Sequence, residues 1–195
     1  IAIRDARAQD VEAFYKYLLA STPEWEALLG EDTHDVVQHV FSKRGNLYSF
    51  QHTRLAEAGG RAAGMVLGYD WRFKQEQTIT TGLLLLGRIR VKHLPMVPAF
   101  LSGSSDIGRV EQGEFFISNI AVEPDYFGSG LAAMLLEDTV SRARSRGASA
   151  LVLEVKESNR RAVRFYEENG FEIDSEITAN VAGHEYLFRM IKDIA

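Results

Sequence analysis

One stretch in the second half of the chain constrains the fold more than any other. Residues 117–132 read ISNIAVEPDYFGSGLA, so an alternating apolar strand runs into a glycine-spaced turn that opens directly into a helix. A helix that begins after such a turn presents unpaired backbone N–H groups and the positive end of its dipole, which favours a bound phosphate. Gly128 and Gly130 have no Cβ and let the backbone approach a ligand closely. The stretch therefore predicts either a diphosphate cradle or merely a tight strand-to-helix connection.

Two nucleotide-binding folds also use a glycine turn between a strand and a helix. A P-loop requires a lysine after the last glycine, and Leu131 follows Gly130 here, which excludes that fold. A dinucleotide motif can be placed on Gly128, Gly130 and Ala133, but only about 60 residues follow the turn, too few for the usual strand-rich half. A nicotinamide-dependent oxidoreductase is therefore a disfavoured interpretation.

Composition limits the class of protein. The chain has 195 residues, of which 46% are hydrophobic and 25% charged, and this suits one globular domain with a full core. The absence of cysteine excludes disulfides, thiolate nucleophiles and cysteine metal sites, and it is compatible with a reducing, cytoplasmic location. A net charge of −5 with scattered signs argues against nucleic-acid binding. We identify no signal peptide and no apolar run long enough to span a membrane, so no membrane partner is expected.

Hydrophobic periodicity predicts a mixed α/β chain with an α+β opening. Strands are expected at 1–4, 48–57, 62–69, 114–122, 150–155, 171–177 and 184–191. Helices are expected at 6–20, 33–42, 80–91, 131–146 and 159–168. Residues 71–112 contain Pro95, Pro98 and the loop-like sequence SGSSDIG at 102–108, and we interpret them as an insertion between the third and fourth strands.

Four consecutive segments carry a resemblance to a known family. They are the strand ISNIAV, the turn and helix EPDYFGSGLAAMLL, the strand ALVLEV, and the segment ESNRRAVRFYEENGFEI. Their order and spacing over residues 114–173 resemble the core of the GNAT superfamily, the acyl-CoA-dependent N-acetyltransferases, and the likeness is weaker over residues 1–70.

The resemblance implies a fold and an activity. It implies a single GNAT acetyltransferase domain over residues 1–195, with a mixed, mostly antiparallel sheet flanked by helices and with 71–112 as a substrate-side insertion. It implies direct transfer of acetyl from acetyl-CoA to a primary amine on a small molecule or a peptide. A homodimer is compatible with the family.

The family's diphosphate motif, Q/R-x-x-G-x-G/A, falls on residues 127–132. Gly130 and Ala132 match it, whereas Phe127 stands where the family usually has Arg or Gln. In the family, the strand before this turn is splayed from its neighbour, so its backbone can pair with the pantetheine arm of the cofactor. The resemblance thus implies the following cofactor-binding residues: Ile120, Ala121, Val122, Phe127, Gly128, Ser129, Gly130, Leu131, Ala132, Asn159, Ala162, Phe165 and Tyr166.

Tyr166 is the candidate general acid. It lies in RFYEENGF, which resembles the family helix whose tyrosine approaches the cofactor sulfur. A phenol can protonate a departing thiolate, although with little driving force at ordinary pKa values, and a core aromatic is the alternative interpretation. Asn159 precedes the same helix and can cap it, bind the pantetheine arm, or do both. The oxyanion donor implied by the resemblance is a backbone N–H near Val122.

The general base is harder to assign. Ser118 and Asn119 stand where many family members carry a carboxylate. Glu114 lies four residues before Ser118 on the same strand face and can act through a water, or it can be a solvated residue at the strand start. The amine can also lose its proton to solvent. The missing carboxylate keeps open a second hypothesis, a non-catalytic acyl-CoA-binding regulatory module.

The remaining charged and imidazole side chains suggest no further site. The five histidines are dispersed without metal-ligand spacing, so no metal is expected. Arg142, Arg144 and Arg146 are interpreted as a solvated face that could attract the cofactor's 3′-phosphate.

Overall fold

The computed structural model describes residues 1–88, 107–179 and 185–195. Its strands are β1 (Ala2–Asp5), β2 (Thr53–Ala58), β3 (Arg61–Asp70), β4 (Glu114–Val122), β5 (Ala150–Lys156), β6 (Glu172–Ala179) and β7 (Glu185–Asp193). They form one sheet in the order β1-β2-β3-β4-β5-β7-β6. Only the β4–β5 pair among these strands is parallel. The predicted mixed, mostly antiparallel architecture is therefore confirmed.

Helices cover both faces of the sheet. They are α1 (Val11–Ser21), α2 (Glu24–Leu29), α3 (Thr33–Phe41), α4 (Trp71–Leu86), α5 (Leu131–Ser145) and α6 (Arg160–Glu168). On one face, Leu131 and Leu135 of α5 and Val163 of α6 join a core with inward residues of β4 and β5. On the other face, α1 and α3 pack together, and the rings of Phe14 and Phe41 stack with centroids 4.2 Å apart. Burial of an apolar stripe on each layer stabilises this arrangement.

Local hydrogen bonds explain several differences from the predicted boundaries. The fourth helix starts at Trp71 rather than Thr80, because Asp70 Oδ1 accepts the Phe73 N–H at 2.9 Å and caps the helix. The second strand starts at Thr53 rather than Tyr48, because Ser49 begins a 3-10 turn over 50–52.

Other differences concern the first helices and the undescribed residues. The first helix begins at Val11 rather than Ala6, after a 3-10 turn at 8–10. Helix α2 was not predicted, and it begins after Pro23, whose fixed φ of −65° suits a helix start. Parts of the sequence prediction lie outside the described residues, namely 89–91, Pro95, Pro98, 102–106, His93 and His184. Every helix among the described residues is too short or too polar to cross a bilayer.

A bulge in β4 changes which side chains face each layer. Ile117 pairs with Gly68 and Asn119 pairs with Leu67, so Ser118 is an extra residue between two consecutive pairs. Gly68 permits this close approach, because a Cβ there would lie 2.8 Å from the carbonyl oxygen of Phe116.

The bulge has a direct effect on the alternation of β4. Before it, Phe115 and Ile117 face α5 and α6, and after it Ile120 and Val122 do so. Ser118 Oγ lies 2.9 Å from Asn119 Oδ1, so these two polar side chains share the opposite face. Asn119 Nδ2 is fixed there by the hydroxyls of Ser21 and Thr22 at the end of α1, each at 2.9 Å.

Candidate active site

The sheet opens between β4 and β5. Their pairing stops at Ile117 and Leu153, although β4 continues to Val122 and β5 to Lys156. Each strand keeps its other neighbour along this stretch, since β3 still pairs with β4 and β7 with β5. The backbone of residues 118–122 therefore has no strand partner on the β5 side in the part of the chain that the structure describes. An extended ligand can pair with such an edge. Ile120, Ala121 and Val122, which the sequence suggested for this purpose, lie on it.

The glycine turn lies at the open end of β4. A 3-10 turn at 124–126 follows the strand, and helix α5 begins at Leu131 as predicted. Gly128 and Gly130 have φ values of +76° and +85°, which other residues adopt only with strain. A Cβ built on either glycine would meet no heavy atom within 4 Å, so the space above the turn is open.

Hydrogen bonds within this turn fix it in a conformation that can bind an anion. Ser129 Oγ donates to the carbonyl of Tyr126 at 2.7 Å and accepts the N–H of Leu131 at 3.4 Å. The N–H groups of Ala132 and Ala133 belong to the first turn of α5 and have no intrahelical acceptor. The side chain of Leu131 is fully buried, so this residue offers only its backbone to a ligand. The open space above the glycine turn and the unpaired N–H groups at the start of α5 fit a diphosphate.

The first turn of α6 lies beside this glycine turn. The guanidinium carbon of Arg161 is 4.1 Å from the centroid of the Phe127 ring, which is 49% exposed. Asn159 caps α6, since its Oδ1 accepts the N–H of Ala162 at 3.2 Å. Ala162 and Phe165 are half-buried against the core on this face of the sheet. The structure thus brings the predicted residues of α6 next to those of the turn, although they are about 30 residues apart in sequence.

Tyr166 is buried on the α5 and α6 face of the sheet. Its ring centroid lies 5.4 Å from that of Phe165 and 5.6 Å from that of Phe171, and 8% of the residue is exposed. Burial raises the pKa of the Tyr166 hydroxyl well above its ordinary value, so the phenol stays protonated at neutral pH. The hydroxyl therefore keeps a proton that it can donate there.

Glu114 lies away from the opening. It is at the paired start of β4, four residues and about 13 Å before Ser118 along the strand. Its Oε1 accepts a hydrogen bond from Arg189 at 2.6 Å, and its Oε2 accepts the N–H of Glu111 at 2.7 Å. Both members of the Glu114–Arg189 ion pair are buried. These contacts are those of a structural ion pair that joins β4 to β7.

Glu154 is a carboxylate that the sequence interpretation missed. It is the first residue of β5 beyond the last β4 pairing, and it alternates with Leu153 and Val155, which face α5 and α6. Its side chain therefore lies on the α1 and α2 face, where Oε1 accepts the N–H of Gly108 at 2.6 Å. Tyr69 and Lys74 lie close enough to Glu154 to interact electrostatically with its negative charge.

A signal for this residue was present in the sequence. The run ALVLEVK places a single carboxylate immediately after the buried part of the strand, at the end that faces the opening. The family resemblance points to a base only on the strand before the glycine turn, which does not include Glu154.

Several polar side chains line the α1 and α2 face near the opening. Lys156, at the end of β5, forms an ion pair with Glu24 at the start of α2. Tyr17 of α1 donates its hydroxyl to Glu123 at 2.9 Å, and Lys16 forms an ion pair with the same carboxylate. The hydrogen bond from Lys16 lowers the pKa of Glu123, which keeps this carboxylate charged. These contacts attach α1 and α2 to both sides of the opening.

The arginines at and just after the C-terminal end of α5 lie far from the glycine turn. Arg142 is 12 residues from Gly130, about 18 Å along the helix. Its guanidinium donates to the carbonyls of Gln51 and His52 at 2.9 and 3.1 Å, and burial lowers its pKa to about 10. Arg144 donates to the carbonyl of Ile194 at 2.7 Å, and Arg146 lies over the ring of Phe73. The interpretation of Arg142 as a solvated residue is therefore wrong.

Residues 1–88, 107–179 and 185–195 contain no metal-binding geometry. No group of three or more His, Cys, Asp or Glu side chains in these ranges is arranged to hold an ion. Glu114 and Glu154 are at opposite ends of the β4–β5 region; Glu114 accepts hydrogen bonds from Arg189 and from the N–H of Glu111, and Glu154 accepts one from the N–H of Gly108.

Comparison with known proteins gives a consistent result. The family model described as "Acetyltransferase (GNAT) family" matches residues 11–171. The [Ribosomal protein bS18]-alanine N-acetyltransferase of Escherichia coli K12 is 43% identical over 65 residues, covering 33% of this chain and 44% of that protein. An uncharacterized N-acetyltransferase of Mycobacterium tuberculosis H37Rv is 34% identical over 79 residues, covering 40% of this chain and 51% of that protein. The matched segment thus spans about half the length of these relatives.

Solved structures show the same fold at low identity. An N-acetyltransferase from Staphylococcus aureus Mu50 has a TM-score of 0.74 at 18% identity, with 98% of this chain and 100% of that chain covered. The ribosomal-protein-S18-alanine N-acetyltransferase from Escherichia coli has a TM-score of 0.57 at 20% identity, with 100% and 94% covered.

Proposed function

Because the chain belongs to the acetyltransferase (GNAT) family, we propose that it transfers the acetyl group of acetyl-CoA directly to a primary amine. Acetyl-CoA supplies an activated thioester. The observation that carries the proposal is the opening between β4 and β5, with the glycine turn at its end. A free strand edge suits the amides of the pantetheine arm, and the start of α5 suits the diphosphate.

The two faces of the sheet have different roles in the proposed chemistry. Tyr166 lies on the α5 and α6 face, and Glu154 lies on the α1 and α2 face of the same opening. A thioester held in the opening is therefore reached by an acid from one face and by a base from the other. This separation suits an acyl transfer in which the amine attacks from one side and the thiolate leaves toward the other.

We assign one proton to each residue. The Glu154 carboxylate accepts the proton that the amine loses as the new C–N bond forms. The Tyr166 hydroxyl, kept protonated by burial, donates to the sulfur as the C–S bond breaks. Backbone N–H groups near Val122, on the free edge of β4, stabilise the charge on the carbonyl oxygen. No covalent enzyme intermediate is required, and the chain has no cysteine to form one.

Glu114 receives a structural role in this proposal. Its buried ion pair with Arg189 occupies both partners, and the opening begins about 13 Å further along β4. The proton relay through water that the sequence suggested for Glu114 is replaced by the closer carboxylate of Glu154.

The acceptor is proposed as a primary amine, and the amino terminus of a peptide is the first candidate to test. The relatives named for the alanine of ribosomal protein bS18 support this choice, although the matched segment is 44% of their length. We further propose a single acetyltransferase domain over residues 1–195, with 71–112 on the acceptor side. The position of Lys74 on α4 close to Glu154 supports that placement. The nicotinamide and non-catalytic hypotheses are not favoured, because the relatives are named N-acetyltransferases.

A thiol-release assay tests the proposal. Purified protein is incubated with acetyl-CoA and a panel that contains alanine-terminated peptides, lysine-containing peptides blocked at the amino terminus, amino acids and aminoglycosides. We expect free CoA and an acetylated amine in equal amounts. Tyr166→Phe should lower turnover about 100-fold while CoA binds with unchanged affinity. Equal turnover in the two proteins would remove Tyr166 as the acid, and failure of the wild type to bind CoA would refute the function.

A further inference from the structure

The arginines of α6 differ in their partners. Arg160 pairs with Glu157 at 3.2 Å and Arg164 pairs with Glu168 at 3.2 Å, so each of these charges is balanced within its own segment. Arg161 forms no ion pair with any carboxylate among the described residues. Its guanidinium instead lies 4.1 Å from the centroid of the Phe127 ring.

This stacking fixes the position of an exposed cation. The planar guanidinium of arginine packs well against an aromatic face, and the ring attracts it through its quadrupole. Phe127 is the residue immediately before Gly128, so the charge of Arg161 is held at the entrance of the glycine turn. The ring covers one side of the guanidinium, and its N–H groups remain available at the edges for an anion.

Two further features make this place favourable for phosphate. Helix α5 begins at Leu131 and helix α6 at Arg160, so the starts of both helices lie close to the Phe127–Arg161 stack. The positive end of each helix dipole adds to the charge of Arg161. Open space above Gly128 and Gly130 lets a phosphate come close.

We propose that Arg161, positioned by Phe127, is a phosphate-binding residue of the CoA site. The inference rests on the proposed function and adds a side-chain cation to a turn that otherwise binds through backbone N–H groups. It also assigns a role to the exposed ring of Phe127, which positions the guanidinium. Coenzyme A offers a diphosphate and a 3′-phosphate, and the same guanidinium chemistry serves either group.

Calorimetric titration with CoA tests this role directly. Arg161→Gln should weaken CoA binding about tenfold at low salt, and the difference should shrink as salt is raised. The matched control is Arg160→Gln, an exposed neighbour whose partner is Glu157, and it should change the affinity by less than about twofold. The melting temperatures of both variants should remain close to that of the wild type.

Titration with 3′-dephospho-CoA identifies the phosphate. If Arg161→Gln weakens binding of both ligands, the guanidinium contacts the diphosphate, and if it weakens only CoA binding, the contact is the 3′-phosphate. Either outcome supports the proposal. Unchanged affinity of Arg161→Gln for CoA overturns it, provided that the wild type binds. Absence of CoA binding by the wild type would instead refute the proposed function and this inference together.

A double-mutant cycle tests the part played by the ring. Phe127→Leu should weaken CoA binding about threefold, because the guanidinium loses its platform. Phe127→Leu combined with Arg161→Gln should bind no more weakly than Arg161→Gln alone, since the two side chains act as a unit. Additive losses would contradict the positioning role of Phe127.

Discussion

The side-chain amide of Asn119 donates to Ser21 and Thr22 at 2.9 Å each, so the bulge of β4 is fastened to the last turn of α1. Asn119 itself is buried, with 6% of the residue exposed. The bulge is therefore anchored to the end of α1 through this amide. The free edge of β4 starts at the bulge. Helix α1 therefore contributes to the geometry of the opening, although it lies on the face of the sheet opposite α5 and α6.

Replacement of Asn119 by Ala should lower stability and activity together. Two half-buried hydroxyls lose their donor, which is expected to cost about 0.5 to 1.5 kcal/mol. Urea denaturation measures the stability, and thiol release under saturating substrates measures turnover. Ser118→Ala, which removes a half-buried neighbour from the same bulge, should have a smaller effect on both. A fully stable Asn119→Ala protein would show that the amide is not what holds the bulge.

Glu154→Gln should lower turnover about 100-fold at neutral pH, because the amine loses its proton acceptor. Raising the pH should restore part of the rate, since solvent then deprotonates the amine before attack. Glu157→Gln serves as the control, because Glu157 lies just after β5 and pairs with Arg160. A pH-independent loss, or equal rates in the two variants, would argue that Glu154 is not the base.

Gly130→Ala should weaken CoA binding more than it weakens folding. Its φ of +85° makes any Cβ strained by about 1 kcal/mol, and the methyl group enters the open space above the turn. Gly147→Ala is a matched control, because Gly147 has a φ of +79° and open space at the other end of α5. The two variants should lose similar stability in thermal melts, whereas only Gly130→Ala should lose affinity in the CoA titration. Equal CoA affinities would remove the turn from the site.

Glu114→Gln should destabilise the protein with little effect on the chemistry. Arg189 loses a buried anionic partner but keeps its hydrogen bond to Asp174 at 3.1 Å, so we expect a loss of about 2 to 3 kcal/mol. Turnover per folded molecule should stay within about twofold of the wild type. A stable variant with a large loss of turnover would return Glu114 to the reaction.

The burial of His52 predicts that the folded protein loses stability in mild acid. Burial lowers its pKa, with help from the charges of Arg142 and Arg146, and its Nδ1 has no hydrogen-bond partner among the described residues. Because the folded-state pKa is below the unfolded value of about 6.5, the unfolded chain takes up a proton first as the pH falls. The stabilisation is complete above pH 6.5 and decreases below it.

Denaturation at pH 7.5 and 5.5 measures this effect. The wild type should lose about 1 kcal/mol more than His52→Gln over this interval, since the remaining histidines contribute equally to both proteins. Parallel losses would show that His52 does not titrate between the folded and unfolded states.

Local patterns predicted the parts of the fold that depend on neighbours in sequence. Strand β4 and the start of α5 were placed at the observed residues, because the alternation of residues 114–122 and the glycines before Leu131 act locally. The family resemblance supplied the remaining architecture. The predicted start of α4 differs from the observed one, because the prediction ends the third strand at residue 69 and makes no use of Asp70 as an N-cap.

The relations between distant segments could not be predicted in the same way. The Glu114–Arg189 pair joins residues far apart in the chain, and nothing near Glu114 signals its partner. The stacking of Phe127 with Arg161 is equally remote in sequence. The position of Glu154 beside the opening depends on where the β4–β5 pairing ends, which is a property of the sheet rather than of β5 alone.

The extra residue at Ser118 also has a consequence for the way this chain tolerates change. A deletion of Ser118 would remove the bulge and restore regular alternation, because the pairs of Gly68 with Ile117, of Leu67 with Asn119 and of Val66 with Ile120 would then follow one another without an extra residue. Ile120 and Val122 would still face α5 and α6. A natural variant that is one residue shorter here should therefore keep the apolar core of β4, whereas an insertion of one residue after Asn119 would turn Ile120 and Val122 away from the helices.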